Sequence, residues 1–173
     1  MIWFYSDPHF DHTNIISYCN RPFETVVEMN EVLLHNYNTR VKPEDTVYFL
    51  GDMSFGRGSR SPRWWLSQLN GQIYYIKGSH DNGIRVASVG LNAIKILDSM
   101  TLPVLEQEVL LIHDPAKAPL ETRWVVHGHV HNYKPAISTG RINISADVVG
   151  FRPVTIDYIA GIVFSQIKEN KYA

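Results

Sequence analysis

Residues 46–55 constrain the fold more than any other part of the sequence, because an apolar run ends there in a glycine and a carboxylate. Thr46 to Leu50 is a run of apolar and β-branched residues, which is typical of a strand covered on both faces. Gly51 closes this run, and Asp52 follows it directly. Since α/β folds bind ligands at the carboxyl ends of their strands, the sequence predicts that Asp52 lies on a loop at such a site.

Other strand-like runs of the sequence also end in Asp or His. The strand-end residues are Asp7, His9, Asp52, His80, Asp81, His113, His127, His129 and His131. In an extended chain, residues two apart project to the same side, so Asp7 with His9, and His129 with His131, can each present two ligands to one pocket. Imidazole and carboxylate ligands without thiolate suit Mn, Fe, Zn, Co or Ni better than Ca. The set exceeds the needs of one open four-coordinate site, so it predicts two metal ions that share a carboxylate, an arrangement suited to phosphate-ester hydrolysis.

The plain alternative is that each such residue is a solvated or hydrogen-bonded loop residue, and we interpret His12 and His35 in that way. That alternative does not explain why Asp or His follows so many strand-like runs in one short chain. The sequence lacks the motifs of other catalytic classes: there is no Gly-x-Ser-x-Gly elbow, no His-Glu-x-x-His and no phosphate-binding loop ending in Gly-Lys-Ser/Thr. Cys19 has no evident partner for thiol catalysis, so we predict a place in the core or at a helix end.

Hydrophobic periodicity and turn residues predict an α/β domain in which strand–helix units come first and strands dominate later. The predicted helices span 13–18, with Thr13 as N-cap, 24–40, 62–69 and 84–94. The predicted strands span 2–5, 46–50, 73–76, 93–97, 100–105, 109–112, 124–126, 141–145 and 157–164.

Composition sets broad limits on the class of protein. A length of 173 residues predicts one domain, residues 1–173. The single cysteine excludes an intrachain disulfide, and no apolar run approaches the length of a membrane span, so we expect a cytoplasmic protein without a membrane partner. The formal net charge of -1 gives no support for nucleic acid as a partner or substrate.

Five motifs occur in the order found in the calcineurin-like metallophosphoesterases, and the chain resembles that family from residue 2 to at least residue 132. They are Asp7-x-His9, Gly51-Asp52, Gly78-Ser79-His80-Asp81, His113 and Gly128-His129-Val130-His131. Residues 7–16 look like the start of the small bacterial and phage-type phosphoesterases of that superfamily. The resemblance implies a four-layered α/β/β/α sandwich of the metallo-dependent phosphatase-like type, with mixed sheets flanked by helices.

The resemblance also implies the roles of the site residues. Asp7, His9 and His131 are expected to hold the first metal ion, His113, His129 and Ser79 the second, and Asp52 to bridge them. By the same resemblance, metal ions held there would lower the pKa of a water molecule and so supply a hydroxide for attack on phosphorus. His80 is expected to protonate the leaving alkoxide or to stabilise the phosphoryl charge, with Asp81 orienting its ring.

Further residues near these motifs are expected to contact the substrate. They are Asn14, Arg57, Asn132 and His127, the last in a supporting or a substrate role. Two departures from the family pattern matter. Ser79 stands where the family has Asn, and because a neutral hydroxyl is a poorer ligand, we predict weaker binding at the second metal site. Phe55 stands where protein phosphatases have a second Asp, which argues against that branch.

The sequence therefore predicts a metal-dependent phosphoesterase that hydrolyses a phosphomonoester or phosphodiester of a small molecule or nucleotide. The expected cofactors are two divalent transition-metal ions, with manganese preferred and iron, zinc, nickel or cobalt as alternatives. A non-catalytic metal-binding scaffold of the same fold is a second hypothesis, favoured by Ser79. A nuclease is a third, and it would need a basic groove.

Overall fold

The computed structural model describes residues 1–81 and 92–169. Within these ranges the chain is α/β, with two mixed sheets and four α-helices. The helices are α1 (Thr13–Tyr18), α2 (Val26–Asn38), α3 (Pro62–Leu66) and α4 (Ile156–Glu169). The strands are β1 (Ile2–Tyr5), β2 (Thr46–Phe49), β3 (Gln72–Ile76), β4 (Ala93–Leu97), β5 (Ser99–Val104), β6 (Gln107–Ile112), β7 (Trp124–His127), β8 (Ile137–Ser138), β9 (Arg141–Asn143) and β10 (Val154–Thr155).

The first sheet has the strand order β10-β1-β2-β3-β4, in which β1 to β4 run parallel and β10 is antiparallel. Both of its faces are covered, as the apolar character of β1 and β2 predicts. Tyr5, Phe49 and Tyr75 belong to the buried cluster that also contains the apolar faces of α2 and α3. Phe4 and Leu50 belong to the cluster on the opposite face. Because β1, β2 and β3 are parallel, their carboxyl ends meet at one edge.

The second sheet has the order β5-β6-β7-β9-β8, with β6, β7 and β9 parallel. Val109, Leu111 and Val126 of this sheet share one buried cluster with the inner face of the first sheet. Helix α4 contributes Ile159 and Val163 to the same cluster. The two sheets are therefore joined through a common core.

The strand predicted over residues 157–164 is wrong, because this segment lies within α4. Its buried residues, Ile159 and Val163, are four apart and so lie on one face of a helix. Tyr158 and Phe164 are exposed on the other side. The β-branched residues of the segment favour a strand, but the spacing of its buried residues is that of a helix.

The remaining predicted elements agree with the structure at the level of type and approximate bounds. Thr13 is the first residue of α1 rather than its cap, since His12 occupies the N-cap position and makes no capping hydrogen bond. Cys19 is buried and forms the C-cap of α1, which confirms its predicted place. The predicted helix 84–94 falls mainly outside the described residues. Within the described residues, we find no helix with the length and apolar character needed to cross a membrane.

The loops that follow the strands are hydrogen-bonded to one another through their backbones. Asp7 N donates to Gly51 O at 3.1 Å, and the amide of His9 donates to Asp52 O at 3.2 Å. In the second sheet, Gly128 N donates to His113 O at 3.1 Å. These backbone hydrogen bonds hold the loops side by side, so their side chains face a common space.

Gly51 makes this close approach feasible. Its φ is +86°, and a Cβ at this position would collide with the backbone of Gly78. Gly58 has a similar φ of +83°, but a Cβ there would have no neighbour within 4 Å. The two glycines therefore share a backbone conformation and differ in the space around them.

We expect Gly51→Ala to lower the free energy of unfolding by about 2–5 kcal/mol, the sum of left-handed backbone strain and overpacking. Gly58→Ala serves as the matched control and should cost only about 1–2 kcal/mol, because it carries the backbone strain alone. Urea denaturation of both variants measures the difference. Equal losses in the two variants would show that the contact with Gly78 does not limit the packing.

Candidate metal centre

Loops after five strands bring imidazoles and carboxylates together at one end of the two sheets. The loops follow β1, β2 and β3 in the first sheet and β6 and β7 in the second. The predicted residues in this cluster are Asp7, His9, Asp52, Ser79, His80, His113, His129 and His131. The structure thus collects in space the residues that the sequence places at separate strand ends.

Asp7, His9 and His131 form the first group of potential ligands. One ligand atom from each lies within 4.8 Å of those of the other two, and all three residues are buried. His131 Nδ1 is 2.7 Å from Asp147 Oδ2, which leaves Nε2 available to the group. Both ring nitrogens of His9 are buried and have no hydrogen-bond partner among the described residues. Because an unpaired buried polar atom is costly, this ring indicates a ligand such as a metal ion.

Asp52, His113 and His129 form the second group, again with one ligand atom from each within 4.8 Å. His113 Nδ1 donates to Leu50 O at 2.7 Å, so in the neutral ring Nε2 carries the free lone pair. This Nε2 is 3.3 Å from Asp52 Oδ2 and 3.2 Å from His129 Nδ1. Ser79 Oγ lies 3.3 Å from the same nitrogen of His129.

The side chain of Asp52 connects the two groups. Its Oδ2 is 3.5 Å from His9 Nε2 in the first group and 3.3 Å from His113 Nε2 in the second. Its Oδ1 accepts the backbone N–H of His80 at 2.8 Å, which fixes the carboxylate orientation. Asp52 therefore occupies the position that a shared carboxylate requires.

The backbone at this cluster is strained. Residues other than glycine rarely adopt positive φ, and such conformations cost about 1–3 kcal/mol each. Five of the six grouped residues do so: Asp7 (57°), His9 (51°), Asp52 (54°), His129 (70°) and His131 (44°). Strain of this kind persists where the surrounding structure enforces it, and it is concentrated at functional sites.

Two buried carboxylates, those of Asp7 and Asp52, influence the electrostatics of the cluster. Asp7 and Asp52 are only 0% and 1% exposed, and neither forms an ion pair with a lysine or arginine in residues 1–81 and 92–169. Burial raises the pKa of Asp52, but hydrogen bonding and attraction from His113 and attraction from His9 outweigh it and hold the pKa below its usual range. Burial lowers the pKa of His113, yet the hydrogen bond to Asp52 prevails and raises it to about 9. The carboxylates therefore favour cationic neighbours, and a divalent cation satisfies the same demand.

Arg21 and Asp147 support the first group and were missed by sequence reasoning. The buried guanidinium of Arg21 contacts Asp147 at 2.8 and 3.1 Å and donates to the carbonyl oxygens of Asp7 and Pro8. Burial raises the pKa of Asp147, but its hydrogen bond to His131 and its pairing with Arg21 lower it to about 2. A carboxylate behind a ligating histidine fixes the ring and its tautomer. Asp147 lies two residues after the predicted strand 141–145, so the strand-end rule would have found it.

His80 lies on the solvent side of the cluster. Its side chain is 39% exposed, and Nε2 is 4.0 Å from Asp52 Oδ2. The ring packs against Phe55, with the centroids 4.1 Å apart. This combination of exposure and proximity suits a group that exchanges a proton with a bound molecule.

The predicted role of Asp81 as the partner that orients the His80 ring is wrong. The Asp81 carboxylate is buried and accepts hydrogen bonds from the backbone of Asp52 at 2.8 Å and of Gly78 at 2.7 Å, and from the Tyr75 hydroxyl at 2.9 Å. It therefore joins the loops after β2 and β3. The His80 ring itself contacts the rings of Phe55 and His9.

The residues predicted to touch substrate have different surroundings. Asn14 is exposed and lines the cavity over the cluster, whereas Arg57 lines an adjoining cavity. Asn132 donates its amide to Cys19 O at 2.7 Å, so that amide holds the end of α1. His127 is 4% exposed and its Nδ1 donates to Gly128 O at 2.9 Å, which suits a supporting role rather than contact with a substrate.

His12 belongs to the site, although the sequence favoured an ordinary loop residue. Its ring centroid lies 5.5 Å from that of His9 and 4.9 Å from that of Phe55. Its Nδ1 is buried without a hydrogen-bond partner among the described residues. Burial also lowers the pKa of His12, so the neutral ring is favoured. His35, interpreted in the same way, lies exposed on α2.

Comparison with known proteins gives relatives for nearly the whole chain. No family model matches it. The chain is 37% identical over 172 residues to the uncharacterized protein MJ1445 of Methanocaldococcus jannaschii, covering 94% of this chain and 90% of that protein. Its fold resembles the crystal structure of AQ665, a protein of unknown function from Aquifex aeolicus, with a TM-score of 0.70, 25% identity and coverage of 92% and 97%. A more distant likeness, with a TM-score of 0.48 and 19% identity over 83% and 81% of the chains, is to a novel archaeal phosphodiesterase.

We expect Asp147→Asn to lower the free energy of unfolding by about 3–5 kcal/mol, because it leaves the buried Arg21 charge unpaired. It should also weaken metal binding about 10- to 100-fold, because His131 loses its orienting carboxylate. The control is Asp98→Asn, which removes the ion pair of an 87% exposed side chain with Lys77 and should cost at most about 1 kcal/mol. Chemical denaturation and metal titration measure both effects. Unchanged metal affinity in the Asp147 variant would contradict the orienting role.

Proposed function

The chain belongs to the same family as the Methanocaldococcus jannaschii protein MJ1445, and we propose that it is a metal-dependent phosphoesterase acting on a phosphomonoester or phosphodiester of a small molecule or nucleotide. The observation that carries this proposal is the pair of ligand groups joined through Asp52. Paired metal sites that share a ligand suit in-line displacement at phosphorus, because the attacking and the leaving oxygen both need stabilisation.

The proposal includes the finer architecture, namely a single metallophosphoesterase domain over residues 1–173 with a four-layered α/β/β/α sandwich. Two sheets that share a core support it. The packing of α1, α2 and α3 in the cluster on the other face of the first sheet supports it as well.

The donor set of the cluster fits divalent transition-metal ions. Asp7, His9 and His131 would hold one ion, and His113, His129 and the shared Asp52 the other, with Ser79 beside the second group. The unpaired nitrogens of His9 support this fit, as do the buried carboxylates of Asp7 and Asp52, which pair with no lysine or arginine among the described residues. Manganese is the proposed metal, with iron, zinc, nickel and cobalt as alternatives. When bound, such ions polarise phosphoryl oxygens and lower the pKa of water.

The protein's own groups supply binding and proton transfer. His80 is proposed as the acid for the leaving alkoxide, because its Nε2 is near Asp52 while its side chain remains accessible. The backbone bond from His80 N to Asp52 Oδ1 and the packing against Phe55 restrict its position. Asn14 and Arg57 are proposed to bind the substrate at the rim, where both side chains are exposed.

The test of this proposal is turnover of bis-p-nitrophenyl phosphate and p-nitrophenyl phosphate by metal-stripped protein refilled with Mn. We expect turnover only with metal, and the preferred ester separates a diesterase from a monoesterase. With an ester that releases an alkoxide, His80→Ala should lower kcat by about 10²-fold or more while metal content is kept, because a general acid contributes that much. The loss should be smaller with the nitrophenyl esters, because 4-nitrophenolate leaves without protonation. Asp52→Asn should lower both metal content and turnover, because the shared carboxylate is lost.

The matched control is His35→Ala, which removes an exposed histidine on α2 and should retain wild-type turnover. The competing hypothesis is a non-catalytic metal-binding scaffold, favoured by Ser79 in place of a stronger ligand. Folded, metal-loaded protein that hydrolyses neither ester with any of these metals would establish the scaffold instead.

Ser79→Asn tests the predicted weakness of the second metal site. The Asn amide oxygen is a better ligand than a neutral hydroxyl, and Ser79 Oγ already lies 3.3 Å from His129 Nδ1. We therefore expect tighter binding of the second ion and little change for the first, seen as two steps in a calorimetric Mn titration. Ser165→Asn on α4 is the control for the substitution itself. Identical titrations of wild type and the Ser79 variant would sink this prediction.

A further inference from the structure

The cavity over the metal cluster is lined by two chemically different sets of side chains. Its volume is about 360 Å³, which is within the range of small-molecule sites. The polar set consists of Asp52, His9, His80, His129 and His131. The second set consists of three aromatic side chains, Tyr18, Phe55 and Tyr133, which we call the aromatic rim. A ligand that fills this cavity therefore needs a polar part and a flat apolar part.

The aromatic rim is unusually open to solvent. Tyr18 is 59% exposed, Phe55 40% and Tyr133 68%. Six aromatic side chains are exposed in residues 1–81 and 92–169, and half of them line this one cavity. Exposed apolar groups that cluster in a concave site indicate a ligand surface. Aromatic rings in particular offer flat faces on which another ring stacks.

The rim is held in place before any ligand arrives. The Tyr133 hydroxyl donates to Tyr18 O at 2.8 Å, which ties the turn after β7 to the end of α1. Phe55 packs against His80 and His12, with ring centroids 4.1 and 4.9 Å away. Preorganised rings lose little freedom on binding, so stacking on them is effective.

Asn14 adds hydrogen-bonding capacity to the same cavity. Its side-chain amide is exposed and makes no hydrogen bond to another described residue. An amide presents both a donor and an acceptor, which matches the paired donors and acceptors on the edge of a nucleobase. A bare phenyl ring offers no such edge. This residue therefore favours a nucleobase over a simple aryl group.

We propose that the substrate is a nucleoside phosphate ester whose base stacks on the aromatic rim while its phosphoryl group lies at the metal cluster. Asn14 then contacts the edge of the base, and Tyr133 and Tyr18 contact its face. This inference rests on the proposed phosphoesterase function and names the substrate class for that site. The adjoining cavity of about 520 Å³, which shares Phe55 and His80 and is also lined by Arg57, leaves room for the group on the other side of the phosphate.

The test compares three diesters that share the 4-nitrophenol leaving group: thymidine 5′-(4-nitrophenyl phosphate), phenyl 4-nitrophenyl phosphate and methyl 4-nitrophenyl phosphate. We expect kcat/KM for the thymidine ester to exceed that for the methyl ester by about tenfold or more, the usual effect of stacking one base. It should also exceed that for the phenyl ester, and Asn14→Ala should remove that second preference. Equal values for thymidine and methyl esters would overturn the proposal. Equal values for thymidine and phenyl esters would assign a plain aryl pocket and overturn the nucleoside.

Variants of the rim identify the ring responsible. Tyr133→Ala should lower the thymidine-to-methyl ratio of kcat/KM about tenfold, whereas Tyr133→Phe keeps the ring and should keep most of the ratio. Tyr18→Ala is the second variant, should Tyr133→Ala not fold. Phe164→Ala removes an exposed aromatic ring of α4 outside the cavity and serves as the control with both esters unchanged. A ratio that stays constant in both Ala variants of the rim would exclude base stacking there.

Binding separates failure of this inference from failure of the proposed function. If wild type hydrolyses no ester, the phosphoesterase proposal fails, but calorimetry with thymidine 5′-monophosphate and methyl phosphate on Mn-loaded protein still tests the rim. Affinity about tenfold tighter for the nucleotide, lost in Tyr133→Ala, would support the nucleoside subsite. Equal affinity for the two ligands would overturn it.

Discussion

The carboxylate of Asp52 is the contact on which the site and much of the surrounding loop structure depend. Its two oxygens reach His9, His113 and the backbone of His80, and its own backbone N–H donates to Asp81. One buried side chain thereby connects loops after β1, β2, β3 and β6. The strand ends approach closely enough for these contacts only because Gly51 and Gly78 carry no side chain. Loss of the shared carboxylate would therefore disturb the loops as well as the ligands.

The cluster is stable in spite of features that oppose folding. Left-handed conformations at Asp7, His9 and Asp52 and buried carboxylates each cost free energy. The rigid supports around them offset this cost: parallel strands covered on both faces, and the buried pair of Arg21 with Asp147. Such a balance is expected where a site is built for ligand binding rather than for stability. A bound cation would pair with these buried carboxylates.

The cavity over the ligand groups combines polar and aromatic lining residues. Its polar set of side chains contains candidate ligands together with His80, and the aromatic rim lines the same cavity. Phe55 connects the two sets, because it belongs to the rim and packs against the His80 ring. A ring at this position places an apolar surface directly beside His80, on the solvent side of the ligand groups.

The sequence by itself identified the candidate ligands, because each lies within a few residues of the end of an apolar run, and parallel strands align their carboxyl ends whatever the details of packing. The tertiary structure decided what depends on contacts between distant segments. Arg21 pairs with Asp147, which is 126 residues away in the sequence, and no local sequence pattern indicates that ion pair. The buried Asp81 carboxylate accepts hydrogen bonds from backbone N–H groups of two neighbouring loops, although the His80 ring is next to it in the sequence. Residues 157–164 form a helix whose buried residues, Ile159 and Val163, are four apart and pack into the core shared by the two sheets. The β-branched residues of this segment do not indicate that packing.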